Sequence, residues 1–192
     1  MTKAIKTKDS IVDRALDLLL QRGLNGFSYR DISKYLNIKN AAIHYYFPTK
    51  MDLIKAIIEE NYRIFKKGTA EFMAYGGQAR AQLEGLFMYT AEEYERGCPI
   101  CLIGSLAVDY DDLSEEVQQA NERFIKNSLK WFTRVLEVGK EQGEFEFQGD
   151  PKDKAVSILA TIQGARQMAR AHGLELLDRI FRQIRTDLGI VD

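Results

Sequence analysis

Two groups of residues in this chain of 192 have types and spacings suited to chemistry or recognition. The first is the C-x-x-C pair Cys98 and Cys101, separated by Pro99 and Ile100. Pro99 suits the first position of a helix, which makes Cys98 the expected cap and Cys101 a first-turn residue. A thiol there feels the positive end of the helix dipole, which favours the thiolate and its reactions with oxidants and electrophiles. The same spacing permits a local disulfide. Three readings stay open: two small, soft side chains filling space, a sensor of oxidants or electrophiles, or a helical thiol-redox protein. The third lacks a proton-transfer partner, a cofactor motif and a βαβ context. A zinc site lacks ligands, since the two histidines, His44 and His172, lie far off in sequence. No Gly-rich phosphate loop or triad-like spacing occurs, so no metal, cofactor or enzymatic activity is expected.

The second group is residues 39–50, KNAAIHYYFPTK. On a short helix over about 40–46, Ile43 and Phe47 face a core at i, i+4. Lys39, Asn40, Ala41, Ala42, His44 and Tyr45 then face outward. Small residues allow close approach to a groove, and polar and ring tips reach base edges and phosphates. The preceding residues are fit to position that face. Ser28 and Asp31 have the spacing of a reciprocal N-terminal cap, Ile32, Tyr35 and Leu36 form an apolar side, and Asn37 tolerates the positive φ of a turn. Ile38 plugs the gap between the two helices. Thr49 and Asp52 repeat the capping pair and start the next helix, with Lys50 in its first turn. Before this unit, Thr7 is placed to cap a helix over 7–22, with an apolar stripe at Ile11, Val12, Ala15, Leu16, Leu19 and Leu20. Lys3, Lys6 and Lys8 then form a solvated tail or an arm near a phosphate backbone.

Composition is that of an all-α protein: three prolines, no alternating β-branched runs, 45% hydrophobic and 29% charged residues. No apolar run is long enough to span a bilayer and no leader pattern follows the first lysines, so a cytoplasmic location is expected. The net charge of −1 conceals a polarity. Residues 1–55 hold ten Lys/Arg against five Asp, a surplus of +5, which leaves −6 on the remainder. A basic head on an acidic body suits a head that meets phosphate.

The helix from about residue 51 continues past Phe65 to about 73, too long to serve the head alone, and Gly76-Gly77 breaks it. Further helices are expected over about 78–95, 114–142, 152–171 and 174–188, with 143–151 as a loop. This divides the chain into a head, 1–50, and a sensing and dimerising body, 51–192. Phe87, Tyr89, Tyr94, Trp131, Phe132, Gln163 and Met168 either line an effector pocket or belong to plain core. The first of the last two helices carries small residues at Ala155, Ala160, Gly164, Ala165 and Ala169. The two helices either complete the chain's own core or pair with a second copy.

The stretches GFSYRDISKYLNI and AAIHYYFPTKMDLIKAI, with Thr7, Asp9 and Ile11 before them, resemble the DNA-binding region of TetR-family (tetracycline-repressor-like) regulators. The resemblance covers residues 7–58. It implies a helix-turn-helix in which Ser28, Tyr29, Lys39, Asn40, Ala41, Ala42, His44, Tyr45, Tyr46 and Lys50 occupy the positions that touch DNA. It also implies a homodimer formed through the last two helices, and a repressor released from a palindromic operator by a small molecule or a thiol modification. Residues 97–117, GCPICLIGSLAVDYDDLSEEV, resemble a stretch in the bodies of some such regulators, certain of which answer electrophiles. Three positions depart from the family pattern: Asn37 in place of Gly, Lys39 in place of Ser or Thr, and His44 in place of Tyr.

Overall fold

The computed structural model describes residues 3–98 and 100–190, and of residues 3–6 the backbone alone. Every regular element among the described residues is helical. In chain order these are α1 (Lys3–Arg22), a 3-10 turn (Leu24–Gly26), α2 (Tyr29–Leu36), α3 (Asn40–Tyr46), α4 (Lys50–Tyr75) and α5 (Ala79–Glu95). There follow α6 (Leu102–Val108), a second 3-10 turn (Tyr110–Asp112), α7 (Glu115–Glu141), α8 (Pro151–His172) and α9 (Leu174–Asp187). None of the described helices is long and apolar enough to cross a membrane.

The chain forms two compact units, Met1–Ile64 with Cys101–Phe124, and Phe65–Ile100 with Ile125–Asp192. In the first, Ile11, Ala15, Leu18 and Leu19 of α1 are fully buried, as are Ile32 of α2, Ile43 of α3 and Leu53, Ile54 and Ile57 of α4. Each buried Leu or Ile among them contributes about 1.5–3 kcal/mol. Helix α6 packs on α1 here, burying Leu102 and Leu106. Ser105 Oγ donates to Leu19 O at 3.1 Å. The first half of α7 is tied to α4 by Lys55 and Glu116, 2.5 Å apart, and by the Tyr62 and Phe124 rings.

The second unit has one core, built from Leu83 and Phe87 of α5, Trp131, Phe132, Val135 and Leu136 of α7, Ile158 and Ile162 of α8, and Leu177, Phe181 and Ile184 of α9. Arg185 forms a two-pronged ion pair with Glu84, at 2.7 and 2.6 Å, and lies over the Phe87 ring.

Four features differ from the sequence reading. The first helix starts at Lys3 rather than after Thr7, which places Lys6 and Lys8 within it and not in an arm. Residues 3–6, Lys-Ala-Ile-Lys, are tolerated in a helix, so propagation through them outweighs a cap at Thr7. Cys98 is not the cap of α6: Cys101 is, its sulfur accepting from Gly104 N at 3.3 Å. Pro99, on which the other assignment rested, lies outside the described residues. The loop after α7 is no mere connector, because Phe145 and Phe147 are buried while Glu146 and Gln148 face out. Last, the small residues of α8 serve two faces: Ala155, Ala165 and Ala169 are buried in the unit's own core, whereas Ala160 and Gly164 are exposed.

Candidate nucleic-acid interface

The head positions one short helix, α3, through capping bonds at Ser28 and Thr49 and side-chain bonds from Tyr29 and Lys50. Ser28 caps α2: its N–H and Oγ both meet Asp31 Oδ2, at 2.8 and 2.7 Å. Those bonds hold the exposed Asp31 carboxyl below the usual carboxylate range. Asn37 ends α2 in the left-handed region at φ 52°, and the Ile38 N–H returns to Ser33 O. An asparagine at this turn is thus a fair substitute for glycine. Thr49 repeats the device for α4, with its N–H and Oγ1 on Asp52 Oδ2 at 2.8 and 2.7 Å and the Asp52 N–H on Thr49 Oγ1 at 3.2 Å. The Asp52 carboxyl is lowered by the same bonds.

Between these caps lies α3. Ile43 is fully buried and Phe47 nearly so, which turns the opposite side outward. Lys39, Asn40, Ala41, His44 and Tyr45 are exposed, Ala42 and Tyr46 are half-buried, and Ser28 and Arg30 of α2 are exposed beside them in sequence. Tyr45 is 81% exposed, its ring meeting the Tyr46 ring edge-on at 5.2 Å. An exposed tyrosine of that degree leaves apolar surface in water that a partner can cover.

Tyr29 and Lys50 face the other way. The Tyr29 hydroxyl donates to Phe47 O and Thr49 O at 2.9 and 2.5 Å, and its ring meets His44 edge-on at 4.7 Å. Burial, then the Asp52 charge, pushes this phenol up to about 12, so it stays a donor across the physiological range. Lys50 Nζ donates to Leu24 O and Phe27 O at 2.5 and 2.6 Å and sits 4.1 Å over the Phe27 ring. Burial lowers its ammonium, partly offset by the carboxylates of Asp109 and Asp31.

The remaining sequence candidates are in or near the second unit. Trp131 and Phe132 are buried edge to face at 4.9 Å, with Phe65 against Trp131, and the Trp131 indole N–H has no hydrogen-bond partner among the described residues. Phe87 stacks on Phe181 at 4.4 Å. Tyr94 donates to Ala169 O, and Gln163 is half-buried. Tyr89 and Met168 are each 50% exposed and stand apart from that core. Cys98 is buried, its carbonyl taking a 3.0 Å bond from Arg166, and Cys101 is half-buried. No disulfide joins the two thiols. The contact that sequence reasoning missed is Asp109, which reaches Leu24 and Asn25; only its position in an acidic run, DYDD, is visible in the chain.

Comparison with known proteins agrees with this geometry. Residues 11–57 match the family model for bacterial regulatory proteins of the tetR family, and residues 78–184 the tetracyclin repressor-like C-terminal domain. The solved structure of a TetR-family transcriptional regulator from Agrobacterium tumefaciens superposes with a TM-score of 0.88 at 30% identity, covering 97% of this chain and 99% of that one. The probable transcriptional regulator YttP of Bacillus subtilis is 36% identical over 73% of this chain and 68% of its own. The transcriptional repressor NemR of Escherichia coli is 24% identical over 85% of this chain and 84% of its own.

Proposed function

This chain belongs to the TetR family of DNA-binding transcriptional regulators, and within that family we propose a homodimeric repressor that leaves a palindromic operator when an effector or a thiol modification reaches its body. The observation that carries the DNA half of the reading is α3, set between the capped starts of α2 and α4, buried at Ile43 on one side and exposing Tyr45 on the other. Its outward residues Lys39, Asn40, Ala41, Ala42, His44, Tyr45 and Tyr46 are assigned to the groove, and the exposed cap residue Ser28 to the same contact surface. Tyr29 and Lys50 contribute by holding the α3–α4 junction, since their polar atoms are already bonded to backbone carbonyls. The division of labour follows the chain, with residues 1–50 reading and residues 51–192 sensing and pairing.

Pairing is assigned to α8 and α9. Along α8, Val156, Ala160, Gly164, Met168 and Ala171 recur on one exposed side, an apolar and nearly flat strip. A Cβ at Gly164 would meet nothing within 4 Å of its own chain. Such a strip lets a second backbone approach closely. Two reading helices related by a two-fold axis then require half-sites one or more helical turns apart.

For the signal, Cys98 and Cys101 are the assigned thiols, and the relative NemR has been solved in what is described as its reduced form. Cys101 caps α6, and α6 packs on α1, so capture of an electrophile there acts within the head's own unit. A reversible small molecule among Phe87, Tyr94, Trp131, Phe132 and Gln163 is the other route, supported by the partnerless Trp131 N–H. A mobility-shift assay on the DNA upstream of the protein's own gene separates them. An α,β-unsaturated aldehyde is expected to release the native protein but not Cys98→Ser or Cys101→Ser, whereas equal release of all three rejects the thiol route. No shift of any DNA at moderate salt rejects the repressor itself.

A further inference from the structure

The segment following α6 grips the start of the head. Asp109 Oδ2 accepts the Leu24 N–H at 3.3 Å, its Oδ1 accepts the Asn25 side-chain amide at 3.4 Å, and Asp112 Oδ2 accepts the same amide at 3.3 Å. The segment is itself fixed, by Ser105 on Leu19 O and by Gln118 Nε2 on Tyr110 O at 3.0 Å. Leu24 is therefore held through both of its backbone groups, the N–H by a carboxylate and the C=O by the Lys50 ammonium. Hydrogen bonds that share a residue with charged groups at both ends strengthen one another.

From Lys50 the contacts continue without a gap. Lys50 opens α4 directly after Thr49, whose carbonyl, with that of Phe47, accepts the Tyr29 hydroxyl. The Tyr29 ring edge then meets His44 on α3. Every member of this chain lies in the first unit. We propose that Asp109 is a positioning residue for DNA binding: without touching DNA, it fixes Leu24, thereby Lys50, and thereby the junction that aims α3. The inference rests on the reading of the head as a duplex-binding element. It gives the DYDD run a role that its charge alone contradicts, since a carboxylate near a phosphate surface opposes binding.

That sign makes the test sharp. Take the duplex that the native protein enriches most from a random pool and measure its affinity for native, Asp109→Asn, Lys50→Gln and the double variant. Asp111→Asn, a neighbouring exposed carboxylate, serves as the charge control. Removing a negative charge by itself strengthens binding, whereas Asp109→Asn is expected to weaken it about tenfold, the size of a lost charge-assisted bond. Asp111→Asn binds as tightly as native or tighter. In the Lys50→Gln background, the Asp109 change adds less than about twofold, because its route is already cut.

Lysine side-chain NMR gives a readout that plain loosening does not mimic. Loss of the Asp109 charge lowers the Lys50 titration, while a turn that merely opens to water raises it toward the free value. Affinity of Asp109→Asn equal to native, or a raised Lys50 titration, overturns the proposal while leaving the DNA-binding reading intact. A native protein that enriches no duplex overturns both. If Asp109→Asn does not fold, Asn25→Ala carries the same test, with about a threefold loss expected and no loss overturning the proposal.

Discussion

Two helices of this protein show the solvent more small residues than a surface needs, and their partners differ because the residues around the small ones differ. On α3, Ala41 and Ala42 are set among Lys39, Asn40, His44 and Tyr45, tips that donate, accept and stack. On α8, Ala160 and Gly164 are set among Val156, Met168 and Ala171, which can do little but exclude water. Both faces carry small residues that permit close approach. The first suits a polyanion with readable edges, the second a copy of itself. A small residue announces closeness, and its neighbours say to what.

The largest effect is expected from filling the flat strip. Gly164→Arg puts a long cation where the Cβ direction is open within its own chain, so the protomer is expected to fold, losing only the thermal stability that pairing supplied. Sedimentation is expected to show a monomer, and operator affinity to fall about 100-fold or more as two-site binding is lost. A stable dimer of that variant would move the interface elsewhere.

Gly139 on α7 is the opposite glycine. A Cβ there would lie 2.1 Å from Cδ2 of the Phe145 ring. Gly139→Ala is therefore expected to cost about 2–3 kcal/mol by urea unfolding, despite the better helix former, because the loop must back out of the core. Next in size is Tyr45→Ala, which is expected to weaken duplex binding about tenfold with no change in melting temperature, since the side chain is 81% exposed. An equal loss of stability would return Tyr45 to a structural role.

The smallest effects come from the supports of α3. Tyr29→Phe removes a hydroxyl shared by two carbonyls and is expected to cost about 1 kcal/mol. Its phenol is raised in the folded state, so its contribution is complete below pH 10 and is lost as the pH rises toward about 12. In a spectrophotometric titration it is expected to ionise at about 12, above the ordinary phenol value. Asp31 and Asp52 have the reverse sign. Their lowered carboxyls stabilise above the unfolded value of about 4 and lose that contribution as the pH falls through the lower folded values. The melting temperature is thus expected to be insensitive to these two caps at neutral pH and to drop under strong acid.

How much of this was legible in the chain depended on whether a feature was local. Both capping boxes, the left-handed Asn37 and the inward pair Ile43 and Phe47 follow from residues within four positions of one another, and each is found as read. The start of α6 was misplaced because two local rules competed there, a proline's preference for a first turn and the capping ability of the next thiol. Burial of Phe145 and Phe147 was hidden for another reason. Alternation over five residues is too short to distinguish from a polar loop unless the faces of α7 and α8 that meet these rings are known. The Asp109 contact spans 85 positions along the chain, and no spacing rule reaches that far.

The most direct test of the whole account is enrichment of duplexes from a random pool by the purified native protein at moderate salt, sequenced alongside a pool selected with His44→Tyr. A two-fold symmetric motif is expected from the native protein, with half-sites about one or more helical turns apart and with base changes confined to equivalent positions of both halves in the variant. A pool that stays random with the native protein, or a motif identical for both proteins, would contradict the claim that α3 reads the groove.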